Sequence, residues 1–379
     1  MSNRVFLLGS SASTLVNFRG PLLKALRNHG CQITAGEPAL RENAELVAWL
    51  EREGIEGVDV PVDRTGMNPV ADLKLLLNLI RRFRQERPDL LLSYTIKPVI
   101  YGTLAAWLVG VPRRFALITG LGYAFIGQPK GRRRWIQRAV RALYRIALTR
   151  ASGVIFQNKD DAALFAELGL LSPQVPVHVV SGSGVNLEHY RPAPQPTDGC
   201  PPTFLLVARL LTAKGIREYA AAAAELKREK PEIRCLVVGG HDSNPDAIPK
   251  DEFEGWLANG WLEWRGELKD VRPALGECHV FVLPSYREGT PRSVLEAMAV
   301  GRAIITTDAP GCRETVVDGE NGYLVPVGDS SALATAMRRF LDDPTLASRM
   351  GQRSMEVARN KYDVNLVNDA MLQAMAVAA

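Results

Sequence analysis

The sequence lacks the features of several large classes of protein. Its five cysteines are odd in number, widely spread and without a Cys-x-x-Cys pair, which argues against a disulfide framework or a zinc site. They are Cys31, Cys200, Cys235, Cys278 and Cys312. The longest apolar stretch, residues 99–111, is shorter than the ~20 residues of a spanning helix. We therefore expect a protein of a reducing cytoplasm with no transmembrane span.

Common ligand motifs are also missing. No Asp-x-Asp sequence is present to hold a divalent cation against a sugar nucleotide, and no Gly-x-x-x-x-Gly-Lys sequence is present. Gly120-Leu121-Gly122 lacks the third glycine of a dinucleotide fingerprint. We therefore predict no metal site and no cofactor, although magnesium can still arrive on the phosphates of a substrate.

Acidic residues are absent from a long part of the first half. Between Asp89 and Asp160 the chain carries twelve basic residues and no acid, and because the whole chain carries +5, the remainder sums to −7. Such a concentrated positive region attracts anions. We expect an anionic partner at the first half of the chain.

What is present is a pattern of short apolar runs that end in Gly, Ser, Thr or Asp and alternate with helical stretches, typical of parallel sheets. The pattern restarts after a proline-rich stretch. We predict an α/β chain with an N-terminal domain over 1–190, a linker over 191–202, a second domain over 203–355 and a helical tail over 356–379. Two doubly wound domains facing across a cleft are favoured over one large sheet with an insertion.

Two glutamates bracket a predicted helix start. Thr290 suits an N-cap and Pro291 the first helical position, so Glu288 precedes the helix and Glu296 lies more than one turn inside it. A ligand whose phosphates rest on the helix N-terminus would meet one carboxylate at each end. The alternative is an ordinary helix with two solvated acids.

Arg209 and Lys214 follow the apolar run 204–208, at the predicted carboxyl edge of the second sheet. Two cations there can offset the charge that develops on a leaving diphosphate without a metal ion. A solvated helix start is the alternative for this pair taken alone.

The residues from Thr203 to about Val327 resemble the retaining nucleotide-sugar transferases of glycosyltransferase family 4. The resemblance lies in the paired glutamates and in the Arg209 and Lys214 pair. It also lies in the sequences Arg265-Gly266-Glu267-Leu268 and Asn321-Gly322-Tyr323. The resemblance implies the GT-B fold, with the last helix returning to the first domain. It also implies that Arg209 and Lys214 stabilise the leaving group, Glu288 orients the sugar and Glu296 binds the ribose. The remaining implied donor contacts are Glu267, Leu268, Gly289, Thr290, Pro291, Ser293 and Val294. Gly9 and Ser10 follow the first apolar run, which places their loop where it could face the donor phosphates across the predicted cleft.

Two first-domain segments, 93–98 and 119–125, resemble the branch that extends undecaprenyl-diphosphate-linked saccharides in bacteria. The implied acceptor contacts are Lys97, Arg114, Gly120 and Tyr123, and the alternative is that both segments are structural turns. Many family members have a first-domain histidine beside the donor sugar. No histidine occurs here between His29 and His178, so that role is unassigned.

Residues 130–150 form a predicted basic helix with apolar residues between the arginines. Such a helix can lie on an anionic leaflet. The predicted membrane contacts are Arg132, Arg133, Arg134, Trp135 and Arg138. The alternative is a helix with its apolar side in the core and its arginines in water.

The leading hypothesis is therefore retaining transfer of a hexose or N-acetylhexosamine from a UDP-sugar, with GDP the second choice, to a polyprenyl-diphosphate saccharide. The enzyme would work at the inner face of the plasma membrane in surface-polysaccharide or glycan assembly. A second hypothesis is a transferase or epimerase of the same fold with a small soluble substrate. A nucleic-acid-binding protein is the third, but it leaves the four charged site residues unexplained.

Overall fold

The computed structural model describes residues 3–63, 68–120, 132–196, 201–242, 244 and 246–377, and only the backbone of 132 and 133. The chain divides into two compact units. Unit 1 comprises Met1–Ser183 with Asn365–Ala379, and unit 2 comprises Gly184–Val364.

Unit 1 is built on a parallel sheet that has seven strands within the described residues, in the order β3-β2-β1-β4-β5-β6-β7. The strands are β1 (Arg4–Leu8), β2 (Gln32–Glu37), β3 (Glu56–Asp59), β4 (Leu90–Tyr94), β5 (Arg113–Ile118), β6 (Gly153–Phe156) and β7 (Val177–Val179). The helices are α1 (Ala12–Asn28), α2 (Ala44–Arg52), α3 (Pro69–Glu86), α4 (Thr103–Leu108), α5 (Arg132–Leu148) and α6 (Lys159–Glu167). The strand order reverses between β1 and β4, which makes that point the ligand crevice expected of a doubly wound sheet.

Helices cover both faces of this sheet. On one face α1 and α2 pack with Val5, Leu7 and Leu92, and on the other α3 and α4 pack with Phe6 and Leu8. Helix α5 lies on the same face as α3 and α4 and packs over the β5 and β6 side chains. The central strand β4 is buried on both faces, as its apolar sequence predicts.

Unit 2 repeats the architecture with a parallel sheet in the order β10-β9-β8-β11-β12-β13 among its described residues. Its strands are β8 (Thr203–Val207), β9 (Arg234–Val238), β10 (Glu263–Trp264), β11 (Val280–Leu283), β12 (Ala303–Thr307) and β13 (Gly322–Val325). Its helices are α7 (Ile216–Glu229), α8 (Lys250–Ala258), α9 (Arg272–Glu277), α10 (Arg292–Val300), α11 (Ser330–Asp342) and α12 (Leu346–Val357). Two separate doubly wound sheets confirm the predicted α/β fold class.

Helix starts follow the local sequence. Asn68 precedes Pro69 and its side chain accepts hydrogen bonds from two amides at the start of α3. Asn158 and Asp329 accept in the same way at the starts of α6 and α11. These side chains satisfy amides that a helix leaves without an internal partner.

The unit boundary differs from the one that the sequence suggested, because residues 184–196 belong to unit 2. The amide of Ala193 donates to the carbonyl of Val300 at 3.0 Å. The fully buried guanidinium of Arg302 donates to the carbonyl of Pro194 at 2.8 Å. The described part of the proline-rich stretch is thus packed against unit 2 rather than free.

The chain returns to unit 1 through its last helix. Helix α13 (Val364–Ala374) buries Val367, Met371 and Leu372 in the same apolar cluster as α1 and α2. Arg113 donates to the carbonyl of Ala376 at 3.3 Å, just after this helix. The second unit is therefore inserted between two segments of the first.

Candidate active site

The switch point of the unit 2 sheet lies between β8 and β11, and each of these strands is followed by predicted site residues. Arg209 and Lys214 follow β8, and Glu288 follows β11. Gly215 has a φ of 72°, and a Cβ there would overlap the carbonyl oxygen of Pro284. Only glycine lets these two loops approach so closely.

Lys214 and Glu288 form an ion pair at this crevice. The Nζ of Lys214 donates to Oε1 of Glu288, and the two side chains are 22% and 13% exposed. The amide of Glu288 donates to the carbonyl of Pro310 at 3.0 Å. Gly311 faces the same loop, and a Cβ on it would overlap the carbonyl oxygen of Glu288. The backbone around Glu288 is therefore held on two sides.

Arg209 also has an acidic partner. Its guanidinium lies 2.5 Å from Oδ2 of Asp242, which follows β9. The Arg209 side chain is half-exposed, whereas that of Asp242 is 19% exposed. An anionic ligand at this edge would compete with Asp242 for the guanidinium.

Glu296 lies in the second turn of α10 and is buried. Its carboxylate accepts a hydrogen bond from Nε of Arg292 at 2.8 Å, and the hydroxyl of Tyr190 also bonds to it. Burial raises the pKa of Glu296 above its ordinary value, against the opposing influence of Arg292 and Tyr190. Tyr190 and Arg292 thus hold a carboxylate that water barely reaches.

The start of α10 corrects two details of the sequence analysis. The helix begins at Arg292, one residue later than predicted, because Pro291 is extended with a ψ of 108°. Thr290 does not cap it, and its hydroxyl donates to the carbonyl of Gly289 at 2.9 Å. Gly289, Thr290, Pro291 and Ser293 nevertheless line the approach to the helix start.

Val294 does not fit the donor-binding role that was predicted for it. Its side chain is fully buried in the core of unit 2, and its amide donates to the carbonyl of Pro291 at 3.1 Å. Both groups are therefore engaged within the protein. Glu267 and Leu268, by contrast, are exposed in the loop that follows β10.

The switch point of the unit 1 sheet, between β1 and β4, holds a second cluster. Gly9 and Ser10 follow β1, and Thr95 follows β4 with a φ of 69°. The hydroxyl of Thr95 donates to Oγ of Ser10 at 2.8 Å. A non-glycine residue in the left-handed region carries backbone strain, which often accompanies a functional loop.

A buried carboxyl lies beneath this loop. Glu37, the last residue of β2, accepts hydrogen bonds from the amide of Ser11 at 2.7 Å and from the hydroxyl of Tyr94. The guanidinium of Arg19 lies 5.1 Å from the centre of the Tyr94 ring. Burial raises the pKa of Glu37 to about 7. Space for the carboxyl exists because Gly9 has no Cβ.

Comparison with known proteins identifies the family. Residues 18–182 match the model of the glycosyl transferase 4-like domain, and residues 201–343 match the model of the glycosyl transferases group 1. The chain belongs to the group 1 glycosyltransferases. The resemblance inferred from the sequence motifs is therefore confirmed, and the chain is an enzyme of the glycosyltransferase class.

Two curated relatives align over most of this glycosyltransferase. One is the N,N'-diacetylbacillosaminyl-diphospho-undecaprenol alpha-1,3-N-acetylgalactosaminyltransferase of Campylobacter jejuni, 28% identical over 98% of this chain and 97% of its own. The other is the UDP-Gal:alpha-D-GlcNAc-diphosphoundecaprenol alpha-1,3-galactosyltransferase of Escherichia coli, 25% identical over 81% of this chain and 80% of its own.

Solved structures support the fold. The Anabaena protein HepE, in complex with UDP and glucose, superposes with a TM-score of 0.77 at 17% identity, over 99% of this chain and all of its own. A glycosyltransferase from Rickettsia africae superposes equally well, over 99% of this chain and 98% of its own. The predicted GT-B fold is confirmed.

The acceptor residues predicted for the glycosyltransferase separate in the structure. Lys97 lies near the carboxyl end of β4, where its Nζ contacts Oδ1 of Asp72 at 2.6 Å, and Gly120 follows β5. Arg114 lies at the opposite edge, near the start of β5, and donates to the carbonyls of Val111 and Arg150. Arg114 therefore does not belong with the predicted acceptor contacts. Tyr123 lies outside the described residues.

Helix α5 of the glycosyltransferase exposes two arginines and a tryptophan near its start. Arg134, Trp135 and Arg138 are exposed, Trp135 to 69%, and the Arg138 guanidinium lies 5.1 Å from the Trp135 ring centre. Arg132 and Arg133 fall within the helix by its backbone. In the part of the chain that the structure describes, no helix is long and apolar enough to cross a bilayer. No cluster of three metal-ligating side chains occurs among those residues either.

Sequence reasoning missed several residues of these two switch points. Asp242, Tyr190 and Glu37 each contact a predicted site residue or loop from a distant part of the chain. Glu37 carried a local signal, since an acid at the carboxyl end of an apolar strand reaches the ligand edge of a parallel sheet. Asp242 and Tyr190 lie in loops, where single-sequence patterns give no position.

Proposed function

We propose that this glycosyltransferase moves a hexose or N-acetylhexosamine from a UDP-sugar to an undecaprenyl-diphosphate-linked saccharide, with retention of configuration. The choice of acceptor is supported by the similarity to the Campylobacter relative, which aligns along nearly the whole of both chains. The E. coli relative also bears a diphosphoundecaprenol acceptor in its name. UDP is favoured over GDP because UDP is the nucleotide in that relative's name and in the HepE complex.

The donor would bind at the unit 2 switch point. Arg209 and Lys214 would offset the negative charge that grows on the leaving diphosphate, because fixed cations stabilise charge that develops in the transition state. The amide edge formed by Gly289, Thr290, Pro291 and Ser293 would face the same phosphates. Binding would break the Arg209–Asp242 and Lys214–Glu288 pairs, since an anion takes the place of each carboxylate.

The two carboxylates would then orient the rest of the donor. Glu288, released from Lys214, would accept hydrogen bonds from sugar hydroxyls, and Glu296 would accept them from the ribose. Glu267 and Leu268 would contact the base through their backbone. No protein nucleophile is required, because the leaving diphosphate can take the acceptor proton on the same face of the sugar.

The acceptor would bind unit 1. Lys97 and Gly120 near its carboxyl edge, with Tyr123, would contact the lipid diphosphate and its saccharide, while the donor-binding role of Gly9 and Ser10 stays a prediction. The exposed arginines of α5 support docking of the enzyme on the anionic inner face of the plasma membrane. We infer no cofactor and no nucleic-acid partner.

A panel of nucleotide sugars tests the proposal. Each donor is incubated with the purified protein and an undecaprenyl-diphosphate-linked saccharide in detergent, and the product is followed by mass. One added sugar from one donor is expected, with Glu288→Gln reducing turnover roughly a hundredfold through loss of sugar orientation. Glu232→Gln, at an exposed position before β9, is the matched control.

The outcomes separate the alternatives. Equal turnover by Glu288→Gln and the parent would remove Glu288 from the site. Product from a water-soluble sugar acceptor, with none from the lipid acceptor, would replace the acceptor by a small molecule. Inversion at the anomeric carbon would refute the retaining mechanism.

A further inference from the structure

Helix α3 exposes a stripe of large apolar side chains on its outward face. Val70, Leu73 and Leu77 are 61%, 55% and 57% exposed. Their spacing places them on one face of the helix, while Leu75, Leu79 and Phe83 point into the core of unit 1. The same helix therefore has two apolar faces, and only one of them packs on the sheet.

Three cations share the outward arc of α3. At 3.6 residues per turn, they project within about 60° of the apolar stripe, and all are exposed. They are Lys74, Arg81 and Arg84.

The acids of α3 point elsewhere. Asp72 contacts Lys97 at 2.6 Å and Tyr101 at 3.0 Å, and Glu86 contacts Arg82 at 2.8 Å. Among the described residues, no carboxylate pairs with the three outward cations. The outward face thus combines aliphatic groups with unneutralised positive charge.

The neighbouring helices of the same layer continue this surface. Trp107 and Leu108 at the end of α4 are 40% and 54% exposed, and the guanidinium of Arg150 lies 4.4 Å from the Trp107 ring centre. On α5, Trp135 and Ile146 are exposed as well. Helices α3, α4 and α5 cover one face of the sheet, so their exposed apolar groups and arginines belong to one layer.

We propose that the outward face of α3 is a second membrane-contact element, which seats unit 1 on an anionic lipid surface together with α5. The apolar stripe would enter the headgroup boundary while Lys74, Arg81 and Arg84 contact lipid phosphates. The inference rests on the proposed lipid-linked acceptor and deepens it. Two helices of one layer would fix the tilt of unit 1, which a single helix leaves free.

A second copy of the chain fits this face less well. A two-fold contact would bring the three cations of both copies into one interface, where they would repel one another at a cost in binding free energy. A nucleic acid would use the cations but would leave the aliphatic stripe in water. An anionic bilayer satisfies both kinds of side chain.

Co-sedimentation of the full-length protein with lipid vesicles tests the proposal. Vesicles of phosphatidylcholine are compared with vesicles that also contain phosphatidylglycerol. The double variant Leu73→Gln/Leu77→Gln is expected to bind on the order of tenfold more weakly, because it places amides where hydrocarbon would enter the bilayer. Leu366→Gln, at a 49% exposed position on α13, is the matched control and should bind as the parent does.

A charge variant gives an independent measurement. Neutralising all three cations to Gln is expected to weaken binding to the anionic vesicles by on the order of a hundredfold, about fivefold for each charge, and more at low salt. Circular dichroism checks that each variant is folded, as its exposed positions predict. Size-exclusion chromatography follows the oligomeric state in parallel.

The results separate this inference from the proposed function. Variants of α3 that bind like the parent, while Arg134→Gln/Arg138→Gln does not, would overturn the α3 contact and leave the transferase proposal intact. A parent dimer that the Leu73→Gln/Leu77→Gln variant dissolves would assign the face to a second copy instead. Product from a water-soluble sugar acceptor alone, together with normal α3-dependent vesicle binding, would overturn the lipid-linked acceptor and leave the α3 contact standing.

Discussion

Glu37 provides a sharp test of the energetics at the unit 1 switch point. Its pKa is raised from 4.5 to about 7 by burial, against the opposing influence of Tyr94, the Ser11 amide and Arg19. Between these two pH values the folded protein holds a proton that the unfolded chain has released. Stability therefore falls as pH rises through this range, and the loss is complete above about pH 7.

Glu37→Gln should remove this loss, because glutamine copies the shape and charge of the protonated acid. The difference of about 2.5 pKa units corresponds to about 3 kcal/mol in the free energy of unfolding. We expect the variant to match the parent at about pH 4, below both pKa values, and to exceed it by up to about 3 kcal/mol at about pH 8. In the protonated form and in the variant, the Tyr94 hydroxyl would accept a hydrogen bond instead of donating one.

Urea denaturation at several pH values, followed by circular dichroism, measures the difference between parent and variant. Glu51→Gln, at an exposed position on α2, is the control for the removal of one carboxylate from the surface of unit 1. A parent-to-variant difference that stays constant from about pH 5 to about pH 8 would refute the raised pKa of Glu37.

Three further predictions concern unit 2. Asp242→Asn should lower the KM for the donor by up to about fivefold with kcat unchanged, because the diphosphate no longer competes for Arg209; a raised KM in initial-rate assays would show that Asp242 helps to bind the donor. Arg302→Leu should reduce the free energy of unfolding by about 3 kcal/mol, because it strips buried carbonyls of their donor; an unchanged urea midpoint would contradict this. Gly311→Ala should lower kcat at least about tenfold, because the new Cβ displaces the backbone of Glu288; full activity in a folded variant would show that this loop can move without harm.

The repeated strand pattern predicted the fold well, because the buried central strands of a parallel sheet are short apolar runs that can be recognised locally. The apolar run 204–208 corresponds to β8 (Thr203–Val207), and the restart of the pattern after the proline-rich stretch indicated two sheets. It was harder to predict at which edge of the sheet a residue beside a strand would lie. The resemblance implied both Arg114 and Lys97 as acceptor contacts, yet Arg114 is the second residue of β5 whereas Lys97 follows β4, so they lie at opposite edges of the sheet.

Site residues that lie in a short sequence motif after a strand could be predicted, whereas their contacts with distant parts of the chain could not. The structure brings Lys214 and Glu288 together, as two motifs of one sheet edge suggested, although their roles remain predictions. The pairing of Arg209 with Asp242 depends on how two loops meet, which no periodicity encodes. The exposed apolar stripe on α3 could not be predicted for another reason. Apolar residues occur around most of the circumference of this helix, so only its packing on the sheet shows which of them stay exposed.

The two ends of unit 2 meet in one place. Val185 and Asp363 form a parallel bridge, with the amide of Val185 donating to the carbonyl of Tyr362 at 2.8 Å and the amide of Val364 donating to the carbonyl of Val185 at 3.0 Å. Unit 2 is therefore an insertion whose first and last residues lie side by side and are joined by backbone hydrogen bonds. An insertion of this kind can be replaced as one block, because its first and last residues lie side by side and the core of unit 1 keeps all its own residues.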